Sequence, residues 1–346
     1  MNEWLNEILT KDAVEERWLT IAKEALLTDT SHAIAFGVTP ENVDGVIQTR
    51  TKLLKSIYPN FTEFCQTTLQ VQPLVMLEVL WNVWLPLAIQ LASKRQGLGR
   101  ALIQGILGGQ GTGKTTMCAV LSLILQELGY RTVSLSLDDL YKTYSDRLAL
   151  RQEDPQMIWR GPPGTHDVDL GLTVLNEIRG CKSPVAVPRF DKSLHQGAGD
   201  RTTPEIVTDV DILLFEGWFV GVRPIDPGTF NNPPLPIITA RDKAFARDIN
   251  RRLNDYLPLW ERLDSLIVMH PTDYRLSLQW RKQAEQLMIA TGRSGMTDSQ
   301  VEGFVNYFWR SLHPQLFIEP LVKNATLVDL AIEINSDHSF GAVYQP

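Results

Sequence analysis

Residues 105–118 read GILGGQGTGKTTMC, and within them Gly108-Gly109-Gln110-Gly111-Thr112-Gly113-Lys114-Thr115 satisfies the pattern G-x-x-x-x-G-K-[ST] in full. Glycines at these positions let successive backbone N–H groups turn toward one centre and form a nest for an anion. A helix that begins at the lysine adds its positive N-terminal pole. Lys114 brings a full charge for β and γ phosphates, the hydroxyls of Thr115 and Thr116 open the helix, and the Thr115 hydroxyl suits Mg²⁺. The stretch therefore predicts a site for a nucleoside triphosphate with Mg²⁺. It leaves open whether the terminal phosphate goes to water, to a protein switch or to a small acceptor.

The flanks support the motif. ALIQGILGG, residues 101–109, is a short apolar run closed by glycines, as a buried parallel strand should be. From about Lys114 to Leu128, Met117, Val120, Leu121, Ile124, Leu125 and Leu128 form one helical face, and Gly129 is a natural stop. Further strands are predicted at RTVSLSL (131–137), VDILLFEG (210–217) and LDSLIVMH (263–270), with a fifth in ATLVDLAIEIN (325–335). Such alternation predicts an α/β fold of the P-loop NTPase kind, a mainly parallel sheet with helices on both faces. Ligands of such sheets sit at the carboxyl ends of the strands.

Residues 1–95 are read as an N-terminal helical region and 96–346 as the P-loop domain, with lid or insert helices over roughly 272–315. A helix start is expected at Thr39-Pro40. The most apolar stretch, residues 73–92, is interrupted by Glu78, Asn82 and Pro86, which favours a buried helix broken or kinked at Pro86 over a membrane span. The chain has 346 residues, 44% hydrophobic and 21% charged, with a formal net charge of −7. That balance argues against nucleic acid as a partner. The N-terminal 18 residues hold five acids and no basic-then-apolar leader, so neither a secretory signal nor a transit peptide is expected. Three scattered cysteines, Cys65, Cys118 and Cys181, suit a reducing, cytoplasmic setting.

An acid at the end of a neighbouring strand should help hold the metal, and Glu216 closes DILLFEGW. Asp138 and Asp139 in SLSLDDLYKTYSD meet the same edge, where a carboxylate could accept the proton of an acceptor hydroxyl and its neighbour could cap a helix. No guanine-specifying N-K-x-D or T-K-x-D follows a late strand, which argues against a GTPase switch. Glu216 followed by Gly-Trp is unlike the acidic pair of motor or transport ATPases. A non-catalytic nucleotide-binding scaffold would be expected to lack Lys114, Asp138 or Glu216, and all three are present.

The motif order, a P-loop followed by SLDDLY, RGPPGTHD, VPRFDKS and LLFEGW, resembles the glycerate kinases, within the uridine kinase, phosphoribulokinase and pantothenate kinase group. The likeness is strongest to the D-glycerate 3-kinase branch of plants and photosynthetic microbes, over roughly residues 75–346. It implies ATP-dependent phosphorylation of D-glycerate to 3-phosphoglycerate. It also implies Asp138 as the base, which with Glu216 lies near the metal on Thr115, Asp139 nearer the substrate or the metal, and Tyr141 toward the substrate. Arg160, Arg189 and Lys192 are candidates for the acid's carboxylate and His166, Asp167 and Asp191 for its hydroxyls. QWRKQAE resembles a lid helix, so Arg281, among the cations Arg275, Arg281, Lys282 and Arg293, is the candidate for the transferring phosphoryl group. EINSDHS, 333–339, is expected near the adenine. Other acceptors remain open: pantothenate, a nucleoside or a sugar phosphate. The last would call for extra cations and the nucleoside for an aromatic clamp.

Overall fold

The computed structural model describes residues 3–11, 15–290 and 295–346. Its centre is β1 (Leu102–Gly108), buried along its whole length. Alternate side chains serve opposite faces: Leu102 and Ile106 enter one core cluster, Ile103 and Leu107 the other. Two of the predicted strands pair with it in parallel, β3 (Ile212–Gly217) with Leu102 opposite Ile212, and β4 (Ser265–Pro271) with Gln104 opposite Ser265. β2 (Thr132–Ser136) extends the sheet beyond β3, and β5 (Leu330–Ile334) runs parallel beyond β4. An unpredicted antiparallel strand, β6 (Phe340–Tyr344), completes the order β6-β5-β4-β1-β3-β2. All five parallel strands therefore present their carboxyl ends at one edge, where the loops after Gly108, Ser136, Gly217, Pro271 and Ile334 gather.

The N-terminal helices cover one face. α1 (Glu3–Thr10), α2 (Glu16–Thr28), α3 (Thr30–Ala35) and α4 (Val43–Phe64) share one hydrophobic core with α5 (Leu85–Leu98), α6 (Lys114–Glu127) and the strands. α4 begins three residues beyond the expected Pro40. The Asn42 side chain accepts from Thr39 N–H at 2.8 Å and closes a turn there first. The apolar stretch is helical, with a π turn at Leu80–Trp84 just before Pro86, which sits in the first turn of α5. Pro86 has no N–H to give the Asn82 carbonyl. That carbonyl accepts instead from His32 Nε2 at 2.6 Å. Pro73–Leu98 is long and apolar enough to cross a membrane, yet Leu77, Leu80, Trp81, Trp84 and Leu91 are buried in this core. Leu128, expected on the buried face of α6, is instead its exposed C-terminal cap.

The opposite face carries α8 (Val168–Arg179) and α9 (Ala240–Arg252), after α7 (Tyr144–Glu153). The predicted lid consists of α10 (Leu276–Ala290) and α11 (Asp298–Ser311), followed by α12 (Pro314–Leu321). Residues 291–294, between α10 and α11 in sequence, lie outside the described residues. Two small antiparallel pairs, Val185–Val187 with Glu205–Val207 and Phe190–Asp191 with Asp200–Arg201, carry the VPRFDKS segment. An open cavity of about 680 Å³ lies at the amino ends of the strands, beside Lys94, Gln104, Ser265 and Asp329. It is remote from every motif, so chemistry and not volume locates the site.

Candidate active site

β1 ends at Gly108 and α6 starts at Lys114, so the glycine-rich loop connects a buried strand to a helix N-terminus as its sequence predicts. Gly111 and Gly113 have φ of 82° and 84°. Thr112 is buried and its hydroxyl donates to the Gly109 carbonyl at 2.9 Å. Lys114 Nζ donates to the same carbonyl at 3.1 Å and lies 4.0 Å from Glu216. Burial lowers the Lys114 pKa from the ordinary lysine value, with Glu216 and then Asp138 pulling the other way. Gln110 and Thr115 are exposed and Thr116 is half-buried.

Lid and loop meet at Gly111. A Cβ there would lie 2.9 Å from the Trp280 ring. Trp280 stacks on His338, 4.6 Å between centroids, and its indole donates to the Ser336 carbonyl at 3.0 Å. His338 Nδ1 donates to the Gly111 carbonyl at 2.9 Å. The EINSDHS turn thus touches the phosphate loop directly. Gly111→Ala combines a left-handed backbone with this contact, so the Kd for ATP should rise about tenfold or more. Titration with a fluorescent ATP analogue measures it, and an unchanged Kd contradicts the contact.

The two adjacent acids part company. Leu137–Leu140 form a 3₁₀ turn, in which neighbours point in different directions. Asp139 turns inward. Its oxygens accept from Ser136 N–H at 3.0 Å, Phe190 N–H at 3.2 Å and Arg189 Nη1 at 3.2 Å. Asp138 faces the phosphate loop's side of the edge and receives Lys192 Nζ at 2.6 Å. Burial alone would raise the Asp138 carboxyl; Lys192, then Tyr141, hold it below the ordinary value. Asp138 is therefore ionised at neutral pH.

The acceptor loops are laced to this turn. Asp167 N–H donates to the Leu140 carbonyl at 2.7 Å and Lys142 N–H to the Thr165 carbonyl at 3.0 Å. The Asp167 carboxylate caps α8 through Leu170 N–H at 3.0 Å and pairs with Arg201 at 2.8 Å. Arg189 is occupied by Asp139 and Glu205, and Asp191 by the N–H and hydroxyl of Ser193. Of the eight residues expected on the substrate side, Asp139, Asp167, Arg189 and Asp191 have their polar groups engaged within the protein. Tyr141, His166 and Lys192 are grouped around Asp138, and Arg160 lies 5.9 Å from the Tyr141 ring while donating to the Gly197 and Ala198 carbonyls.

His166 is buried and stacks on Tyr141 at 4.7 Å. The Tyr256 hydroxyl accepts from Gly164 N–H at 2.8 Å and lies 2.8 Å from His166 Nδ1. With its own proton on Nδ1, the tyrosine would leave Nε2 as the N–H donor, and Nε2 has no hydrogen-bond partner among the described residues. Burial pushes the His166 pKa down to about 3, and His313 falls to about 4 for the same reason. Above pH 6.5 such groups are neutral whether folded or not. Below it the unfolded chain takes protons that the folded one refuses, so stability is lost as pH falls toward those values. Each histidine should cost about 2 kcal/mol by pH 5. Urea midpoints at pH 7.5 and pH 5 test this, and equal midpoints contradict it.

Arg281 pairs with Glu285 on its own helix and lies over Phe304 at 5.3 Å. Glu285 also accepts from Met296 N–H at 2.8 Å, so this carboxylate joins α10 to the segment before α11. Arg275 pairs with Asp273 and Lys282 with Glu302, while Arg293 lies outside the described residues. Sequence reading missed Trp280, Tyr256, Arg147 and Arg201. Arg201 alone carried a usable signal, a cation after the glycine-flanked GAGD.

No family model matches the sequence. Over 222 residues the chain is 33% identical to an uncharacterized kinase of Schizosaccharomyces pombe, spanning 61% of this chain and 79% of that protein. It is 30% identical over 255 residues to the chloroplastic D-glycerate 3-kinase of Arabidopsis thaliana, spanning 69% and 53% respectively. The solved D-glycerate 3-kinase of Cryptococcus neoformans var. grubii matches with a TM-score of 0.68 at 26% identity, over 76% of this chain and 99% of that one.

Proposed function

The chain belongs to the P-loop kinases that include the D-glycerate 3-kinases, and on that premise we propose that it transfers the γ-phosphoryl group of ATP to the 3-hydroxyl of D-glycerate. The observation that carries the reading is Asp138, an ionised carboxylate between the donor lysine, Lys114, and an acceptor side formed by Tyr141, His166 and Lys192.

The phosphate loop's amides and Lys114 hold the triphosphate, and Trp280 and His338 keep that loop in shape. The incoming hydroxyl replaces Lys192 at Asp138. As the new O–P bond forms and the bond to the ADP oxygen breaks, the hydroxyl proton passes to Asp138. A base of low pKa suits a loose transition state, in which the proton is given up late. His166 Nε2–H is a neutral donor for an acceptor oxygen. Arg281 is proposed to exchange Glu285 for the transferring group when the lid closes.

Mg²⁺ favours one or two carboxylates beside substrate phosphates. Thr115, Glu216 and Asp138 fit as oxygen donors, because Glu216 is held beside Lys114 and Thr115 is exposed at the head of α6. Mg²⁺ there would offset charge on the phosphate oxygens. The free cysteines, Cys65 and Cys118 buried and Cys181 exposed, accord with a cytoplasmic setting.

ADP release measured with D-glycerate, pantothenate, uridine and a sugar phosphate tests the acceptor. Turnover with glycerate alone is expected, with the product's phosphorus at C3 by NMR. Turnover with another acceptor but not glycerate would sink the reading.

A further inference from the structure

Two arginines beyond Tyr141 form no ion pair among the described residues. Arg147 on α7 and Arg160 at the head of RGPPGTHD converge on the turn at residues 197–199. The Ala198 carbonyl accepts from both, from Arg147 Nη2 at 2.7 Å and Arg160 Nη1 at 2.9 Å. Gly199 O accepts again from Arg147 at 2.6 Å and Gly197 O from Arg160 at 2.7 Å. Both guanidiniums lie against the Phe190 ring, 5.1 and 5.6 Å from its centre. Neighbouring Arg189, Lys192 and Arg201 each hold a carboxylate. Arg147 and Arg160 hold only neutral carbonyls among the described residues, and both are half-buried.

Two like charges clamped together in partial burial are costly unless an anion joins them. Burial and then the Arg160 charge lower the Arg147 pKa, with the more distant Asp200 carboxylate offsetting them only in part. Arg160 is well placed to receive the anion, since its Nε and Nη2 donate to no described protein atom. Its guanidinium lies 5.9 Å from the centre of the Tyr141 ring, and the Tyr141 hydroxyl interacts with Asp138. An anion on the arginines and a hydroxyl on Asp138 would thus flank one tyrosine.

We propose that Arg147 and Arg160 form the subsite for the carboxylate of the phosphoryl acceptor, with Phe190 and the Ala198 carbonyl as the frame that holds the two guanidiniums side by side. This deepens the kinase reading and rests on it only for the carboxylate's owner. The pair is a specificity device: it favours a hydroxy acid over the corresponding neutral polyol, because only the acid compensates both charges.

Calorimetric titration of the full chain with D-glycerate, glycerol and glycerol 3-phosphate, beside ATP, tests it. Wild type should bind glycerate and not glycerol. Arg147→Gln/Arg160→Gln should weaken glycerate about 100-fold with the Kd for ATP within twofold. Arg160→Lys, which keeps the charge but loses the fork, should fall between. A double variant that holds glycerate as tightly as wild type overturns the subsite, as does wild type binding no small carboxylate. Glycerol 3-phosphate bound more tightly than glycerate, with that preference lost in the variant, overturns the assignment to carboxylate. Arginine-dependent glycerate binding without glycerate turnover upholds the subsite and rejects the acceptor proposed above.

Discussion

Asp138→Asn should lower kcat about 10³-fold while leaving the Kd for ATP within a few-fold. The substitution keeps shape and removes the proposed acceptor of the hydroxyl proton, and loss of such a base typically costs about 10²–10⁴. ATP binding survives because the phosphate loop, Trp280 and His338 are held by contacts that do not include Asp138. Lys192 loses its 2.6 Å partner, but it is largely exposed and water receives it at little cost. The adjacent change is the control. Asp139→Asn disturbs the carboxylate that accepts from Ser136, Phe190 and Arg189, so it should destabilise the fold by about 1–3 kcal/mol and leave kcat within about tenfold. Stopped-flow phosphoryl transfer and urea denaturation separate the two effects. If Asp139→Asn abolishes transfer and Asp138→Asn does not, the base is Asp139.

That contrast shows where sequence reasoning succeeds and where it stops. The strands and α6 were legible because a parallel sheet covered on both faces demands continuous apolar runs, and because the phosphate loop needs its glycines and lysine in fixed order. β6 was not legible: FGAVY is short and its neighbours are a turn, so no periodicity precedes it. The N-terminal helices were legible as helices, but their docking on the sheet depends on which face of each is apolar in three dimensions. Asp138 and Asp139 are indistinguishable by type and lie one apart. Only the 3₁₀ turn, with Ser136 as its cap, directs one outward and one inward. Charges in the acceptor loops posed a related difficulty. Arg189 and Arg160 look alike in sequence, yet Glu205 and Asp139 neutralise the first, while the second meets backbone carbonyls and aromatic rings and no carboxylate among the described residues. Trp280 offered no signal at all, because an aromatic at helical spacing ordinarily marks core and here half of its task is to cover Gly111.

Lys114→Met should lower kcat/KM for ATP by about 10³-fold, or ~4 kcal/mol of transition-state stabilisation. Methionine fills the stem's place beside Gly108, so the loss isolates the charge. Arginine should not rescue it. The Lys114 ammonium sits 3.1 Å from the Gly109 carbonyl and 4.0 Å from Glu216, a place for a compact point charge that a longer, planar guanidinium overshoots. The pH profile gives a second, independent readout. Burial lowers the Lys114 pKa in the free protein, so the lysine surrenders its proton at a lower pH than an exposed lysine does. Since kcat/KM reports ionisations of the free enzyme, its alkaline limb for ATP should begin below the ordinary lysine range and should disappear in Lys114→Met. Binding of D-glycerate should persist in this variant, because the acceptor side is built from Tyr141, Arg160, His166 and Lys192 and not from the phosphate loop. A variant that keeps kcat/KM within tenfold of wild type would show that the loop amides alone bind and orient the triphosphate.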